Sequence, residues 1–197
     1  MNQNNTGALI RKLRHELGFT QQELADKIGV TDKAVSKWER GLGCPDPSLL
    51  SSLADTLNVE AGILLSGEMV ANEKSSGNMK KTRFYVCPEC GNITTSVTEA
   101  VVSCCGKKLI SLTARKAEEH EKLSVELIEN EYLVGSEHEM TREHFISFIA
   151  LLGDETVIIR KRYPEWDLQT RLPRIPYGIL VCYCTKHGLM YQFLKAK

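Results

Sequence analysis

Thr20-Gln-Gln-Glu-Leu-Ala-Asp-Lys-Ile-Gly-Val-Thr31, followed by Ala34-Val-Ser-Lys-Trp-Glu-Arg-Gly41, decides how the N-terminal part of the chain folds. Thr20 with Glu23 three residues on is a capping box, which satisfies two orphan amides at a helix start. Leu24, Ala25 and Ile28 then share one helical face, and Gly29 closes the helix. Thr31 caps a second helix, Asp32 to Arg40, anchored inward by Val35 and Trp38. Two short helices joined by a glycine-containing turn are a helix-turn-helix. Working outward, Leu9, Leu13 and Leu17 set a helix over Ala8 to Leu17, stopped by Gly18. Asp46 and Pro47 suit the cap and first position of a fourth helix. A short fifth is expected from Glu60 to Leu65. Lys33, Lys37 and Arg40 share a helix face, opposite Val35 and Trp38.

This run resembles the Xre/Cro family of phage-repressor-like DNA-binding domains, over about residues 7–66. By position, the resemblance implies that Gln21 and Gln22 meet DNA backbone and base edge at a helix start. It implies that Lys33, Ala34, Ser36 and Lys37 enter the major groove, that Arg40 reaches phosphate and that Thr31 belongs to the same DNA-binding set. Double-stranded DNA is then the partner, with a palindromic operator read by a homodimer. A plain five-helix bundle used for protein contacts is the alternative.

Composition bounds the remainder. The 197 residues carry 25 basic and 25 acidic side chains, so DNA binding must come from placement and not from bulk charge. The longest apolar run, Phe145 to Leu152, is far short of the ~18 residues of a membrane span. The polar start lacks a signal peptide's apolar stretch, so a cytoplasmic protein without membrane contact is expected. The stretch Gly67 to Thr82 has no period and reads as a linker. Beyond it, Val97 to Ser103, Val157 to Arg162 and Ile179 to Tyr183 read as strands. The expected organisation is multidomain: an all-α helix-turn-helix domain (1–66), a linker (67–82), a small four-cysteine knuckle (83–113) and an all-β sandwich (114–197).

Seven cysteines in a reduced compartment point to metal or redox chemistry and not to disulfides. Cys87-Pro-Glu-Cys90 is a knuckle that turns two thiols toward one ion, and Cys104-Cys105 supplies two more. Four thiolates suit zinc or a single iron. The segment Phe84-Tyr-Val-Cys-Pro-Glu-Cys-Gly-Asn92, with the later Cys-Cys-Gly, is similar to the desulforedoxin domain, which carries one iron; a structural zinc ribbon is the other reading. Cys44 has no partner in sequence and reads as a spacer. His15 reads as a surface residue of the first helix, and Cys182 as a small buried one.

Glu118-Glu-His120, Val134-Gly-Ser-Glu-His-Glu-Met140, Glu143-His-Phe-Ile146 and Cys184-Thr-Lys-His-Gly-Leu189 resemble the superoxide reductase (desulfoferrodoxin, neelaredoxin) family across residues 83–197. The resemblance implies an immunoglobulin-like sandwich with a second mononuclear, non-haem iron. Its ligands would be His120, His138, His144 and His187 with Cys184 as axial thiolate, and Glu118 would close on the oxidised iron. The family's attracting lysine is here Glu119, with Lys122 as its substitute, and its His-Pro-Met proline is Glu139. Eight glutamates from Glu118 to Glu139 against one lysine would slow an incoming anion. Two functions follow: a transcriptional regulator whose iron domain senses redox state, reactive oxygen or iron, or a superoxide reductase with an accessory DNA-binding domain. A DNA-binding protein with structural zinc is a third.

Overall fold

The computed structural model describes residues 3–69 and 78–195. The chain divides into two compact units, 1–71 and 72–197. Of the expected linker, residues 70–77 lie outside the described residues.

The first unit holds five α-helices: α1 (Gln3–Glu16), α2 (Gln21–Ile28), α3 (Asp32–Glu39), α4 (Leu50–Thr56) and α5 (Ala61–Ser66). The capping box forms as expected: Thr20 accepts from the Glu23 amide and the Glu23 carboxylate accepts from the Thr20 amide at 2.7 Å. Gly29 ends α2 in the left-handed conformation, φ 71°. Leu9, Leu13, Leu24, Ile28, Val35, Trp38 and Leu53 form the common core.

Two boundaries differ from expectation. Helix α1 begins at Gln3 and not at Ala8, because its first turn meets the core through Thr6 and Gly7, which carry no apolar signal. A Cβ at Gly7 would lie 1.9 Å from the Trp38 carbonyl oxygen, so glycine lets α1 touch the end of α3. The fourth helix starts three residues late, because Asp46 caps a single 3-10 turn, Pro47–Leu49, ahead of α4.

A buried ion pair ties α1 to α3. Arg14 donates to both Glu39 carboxylate oxygens, Nε to Oε1 at 2.6 Å, with side chains only 7% and 3% exposed. Arg14 also donates to the Phe19 carbonyl at 2.6 Å, and Gln21 Nε2 donates to Glu39 at 2.7 Å.

The second unit contains twelve strands among the described residues. Strands β1 (Arg83–Val86) and β2 (Ile93–Ser96) pair, as do β3 (Val102–Cys104) and β4 (Lys107–Leu109). Two larger sheets face each other. One is β10 (Gln169–Pro173), β7 (Glu131–Gly135) and β6 (Ser124–Ile128). The other runs β5 (Arg115–Lys116), β12 (Gly188–Lys195), β11 (Tyr177–Cys184), β8 (Ile146–Leu152), β9 (Val157–Lys161). Tyr132, Val134 and Leu172 of the first meet Ile149, Leu151, Leu180 and Met190 of the second to form the core between them. On the other face of the second sheet, Phe148 stacks on Phe84 of β1 at 5.3 Å.

The expected strand Val97 to Ser103 is not one strand. Residues 97–101 bend, with Val97 and Val101 exposed. The buried Tyr85 hydroxyl accepts from the Ala100 amide at 3.3 Å, taking a backbone group that a strand would have used. The other two expected strands form as β9 and β11.

Glu39 yields a stability prediction. Burial pushes its carboxyl up, but hydrogen bonds from Arg14 and Gln21 and the charges of Arg14 and Arg11 outweigh that and hold it below its ordinary value. A carboxyl depressed on folding stabilises the fold above its unfolded value, and the contribution is lost as pH falls through the folded value. Arg14→Ala strands a buried carboxylate and should destabilise the helical unit by about 3–5 kcal/mol. Urea unfolding from pH 7 downward measures both effects, and the wild-type acid loss tied to this pair should be missing from the variant.

Candidate metal centres and nucleic-acid interface

Sγ of Cys87, Cys90, Cys104 and Cys105 lie within 4.8 Å of one another. The first two sit on a knuckle closed by Gly91 donating to the Cys87 carbonyl at 2.9 Å, with Gly91 at φ +65°. The second two come from the β3–β4 hairpin, where Cys104 pairs with Lys107 and the two-residue turn is Cys105-Gly106. Both turn residues have positive φ, 50° and 75°, as the tight hairpin turn that matches strand twist requires. Cys105 therefore occupies a conformation that costs an L-residue energy, and this turns its thiol to the same point as that of Cys104.

The four thiols disturb each other. Backbone N–H groups of Cys90 and then Glu89 draw the Cys87 thiol down to about 7 against the opposing effect of burial. Hydrogen bonding with Cys90, Cys87 and Cys104 pushes Cys105 up to about 12. Four sulfurs this close cannot all ionise alone, and a tetrahedral cation at their centre relieves the conflict.

The second cluster joins His138, His144, Cys184 and His187, whose donor atoms also lie within 4.8 Å. Cys184 ends β11, opposite Ile146 on β8 and Gly188 on β12. A register shift between Tyr183 and Cys184 marks a bulge there, a device that re-aims side chains. His144 stands two residues before β8 and His187 in the turn before β12. Thr185 ties the turn to the 143–145 loop, accepting from the Phe145 amide at 3.2 Å and donating to the Glu143 carbonyl at 3.1 Å. Cys184 is fully buried, while His187 lies at the surface.

His138 Nε2 is 3.4 Å from His187 Nδ1, and the His144 ring packs edge-on to both. His144 Nε2 is buried with no hydrogen-bond partner among the described residues. A buried imidazole nitrogen beside two more imidazoles and a thiol is a donor set suited to iron.

His120 does not join the four. It stands on the 3-10 turn Glu119–Glu121, its side chain 77% exposed, with Nδ1 3.7 Å from Glu118 Oε2. It lines a cavity of about 790 Å³ with Lys122, His138 and His187. The turn is fixed by Arg115, which pairs with Glu121 and holds that carboxyl down to about 2. Lys122 is paired with Glu119.

The glutamate-rich stretch is not a bare negative field, as its composition suggested. Glu119, Glu121, Glu131 and Glu139 pair with Lys122, Arg115, Arg171 and His144. The pairing of Glu139 with His144 is not legible in sequence, where Glu139 shows only as a departure from the family's proline. Cys182, expected buried, packs in the sandwich core, and burial pushes its thiol up to about 12.

On the helical unit, Lys33, Lys37 and Arg40 are exposed, Ala34 and Ser36 half-buried, and Val35 and Trp38 inside. Arg40 Nε donates to the Ser36 carbonyl at 3.1 Å. Thr31 caps α3 through the Ala34 amide. The amide nitrogens of Gln21 and Gln22 are engaged within the unit, with Glu39 and Asp26.

A helix-turn-helix family model matches residues 10–64. An HTH-type transcriptional regulator from Methanothermobacter thermautotrophicus is 42% identical over 52 residues, covering 26% of this chain and 75% of that protein. The HTH-type transcriptional activator BcrR of Enterococcus faecalis is 34% identical over 80 residues; this chain spans only 39% of it, and 39% of this chain is covered. Among solved structures, the superoxide reductase of Treponema pallidum is similar, with TM-score 0.49 and 17% identity, covering 57% of this chain and 98% of that one.

The left-handed cysteine separates metal binding from folding. Cys105→Gly relieves the backbone and should raise metal-free stability by about 1 kcal/mol. The same variant should lose any metal that this cluster binds, as read by metal content after gel filtration.

Proposed function

Because the chain belongs to the helix-turn-helix family of transcriptional regulators, we propose that it is a sequence-specific DNA-binding regulator whose β-rich unit is an iron-dependent sensor of redox state, reactive oxygen or iron. The observation that carries this reading is the convergence of three imidazoles and a buried thiol at the end of the sandwich. In this reading residues 1–66 contact DNA, 83–113 hold a tetrathiolate iron or zinc, and 114–197 hold the second iron.

The two donor sets share no residue, so each ion is held independently. His138, His144, His187 and Cys184 would hold the mononuclear iron, with His120 a further donor across the cavity and Glu118 beside it. Bound iron would supply a one-electron redox change. The chain's own part is to keep Cys184 away from water and leave one side open to small molecules through the cavity. The cytoplasm suits thiols kept reduced.

On DNA, Lys33, Lys37 and Arg40 form the cationic face, with Ala34 and Ser36 between them close enough for base edges. Gln21, Gln22 and Thr31 border that face, and their bonds to Glu39, Asp26 and the Ala34 amide fix its shape. Helix-turn-helix units of this kind pair on half-sites one helical turn apart, so a homodimer on a palindromic operator is part of the proposal.

The test is operator binding, on a site selected from random DNA, by iron-loaded protein in reduced and oxidised states. Affinity should differ between the states in wild type and not in Cys184→Ser. Lys37→Ala with Arg40→Ala should weaken both states and flatten the salt dependence by about one unit per lost phosphate contact. Equal affinity in both wild-type states overturns the sensor reading, and a double variant as tight as wild type overturns the DNA interface.

A second reading, one-electron reduction of superoxide to hydrogen peroxide with uptake of two protons, is favoured by the cavity that opens on His138 and His187. Against it, Lys122 is held by Glu119. Glu119→Lys removes that restraint and reverses a charge at the rim, so capture of superoxide should quicken, and less so at high salt. Stopped-flow mixing at two ionic strengths checks this; a wild type already as fast as the variant favours the enzyme.

A further inference from the structure

A histidine can give a metal only one nitrogen, and the proton must sit on the other. Which nitrogen is free is set by whatever accepts that proton. In the His/Cys cluster two of the three imidazoles have their acceptor supplied by a single residue. His138 Nδ1 faces the backbone carbonyl oxygen of Glu139, and His144 Nδ1 lies 2.8 Å from the Glu139 carboxylate. Both rings are thereby turned so that Nε2 faces inward. His138 Nε2 lies 3.4 Å from His187 Nδ1, and His144 Nε2 is buried and unpartnered.

The two acceptors are not equivalent. A carbonyl only fixes a tautomer, whereas a carboxylate also carries charge and makes the imidazole a stronger donor at its far nitrogen. Glu139 holds its place by geometry: the carboxylate is 56% exposed while the His144 side chain is 12% exposed. The charge therefore stays solvated while its hydrogen bond reaches inward. The 141–144 loop is closed by Thr141 donating its backbone N–H to the His144 carbonyl at 3.0 Å and accepting from the His144 amide at 3.2 Å, so the His144 backbone is held beside its partner.

We propose that Glu139 is a positioning residue for the His/Cys metal site: its carbonyl and carboxylate set the tautomers of His138 and His144, and its charge strengthens His144 as a ligand. The proposal rests on the reading that this cluster holds a metal.

The test compares wild type, Glu139→Gln and Glu139→Leu in the full chain. Zinc affinity is measured by chelator competition, and the reduction potential of the iron-loaded protein by titration. The leucine variant should bind 10- to 100-fold more weakly at this site. Glutamine, which fills the same space and can still accept the proton, should lose less affinity but shift the iron potential to more positive values, because a negative charge favouring the ferric ion is gone. Affinity at the four-cysteine site and unfolding of the metal-free protein should not move. Wild-type affinity in Glu139→Leu, an unchanged potential in Glu139→Gln, or equal losses at both sites would each overturn the proposal. If wild type holds no metal that Cys184→Ser removes, the parent reading falls instead, and that outcome is distinct because it appears before any change at Glu139.

Discussion

The register of three antiparallel strands governs the second unit. Cys184 is opposite Ile146 on one side and Gly188 on the other. A slip of one residue in either pairing would turn Cys184 to the opposite face of the sheet. The thiol would leave the core shared with Ile149, Leu180 and Met190, and His144 and His187 would separate from it. Registration is strongly specified because β8 is buried on both faces, with Ile149 and Leu151 on one side and Phe148, Ala150 and Leu152 on the other. The hydrophobic packing that fixes the fold also fixes where nitrogen and sulfur donors meet, and the site needs little extra structure of its own.

The two donor clusters are built by opposite means. The four cysteines sit on short turns, a knuckle and a hairpin, where backbone conformation aims them. The left-handed Cys105 is strain held by the hairpin, of the sort found where a side chain has a task. The His/Cys cluster is aimed by long-range packing and by hydrogen bonds that Glu139 and Thr185 accept from His144 and the Phe145 amide. Short local turns organise easily around an ion, whereas the second site is preformed by the sandwich. An ion entering the second site has less chain to order, and its donors are less free to adapt to a different metal.

Much of this was legible in sequence. The capping box, Gly29 and the Trp38 anchor are local signals, and the helix-turn-helix follows them closely. The C-x-x-C and Cys-Cys spacing pointed to the four-cysteine set, whereas the His/Cys set was implied only by the family resemblance, which also named His120, a residue that stands apart from the other four. Strand β8 went unread because a segment buried on both faces has no alternation, only a run of apolar residues. The first turn of α1 was hidden because it packs through Thr6 and Gly7. The 97–101 bend depends on a tyrosine hydroxyl more than ten residues away, which no local pattern contains. Glu139 was noticed only as a departure from a family pattern, since whether a glutamate is paired or free is a property of tertiary structure.

Energetics limit what a sensor of the kind proposed must achieve. A tenfold change in operator affinity corresponds to about 1.4 kcal/mol of difference between two states, and a ligand or redox change shifts a population only by its differential interaction with them. In the proposed reading, one positive charge gained by an iron held at the His/Cys cluster would change its attraction to Glu139 by an amount of that order at a partly solvated separation of a few ångströms. No large refolding is required for the proposed regulation. The loop from Glu118 to Lys122 is anchored by the two-pronged Arg115–Glu121 pair, while its Glu119–Lys122 pair lies at the surface and is weak. In the proposed reading, a change in charge at the cluster would be absorbed first by the exposed Glu119–Lys122 pair and the solvated edge of the Glu139 carboxylate, leaving the strands that position Cys184 undisturbed.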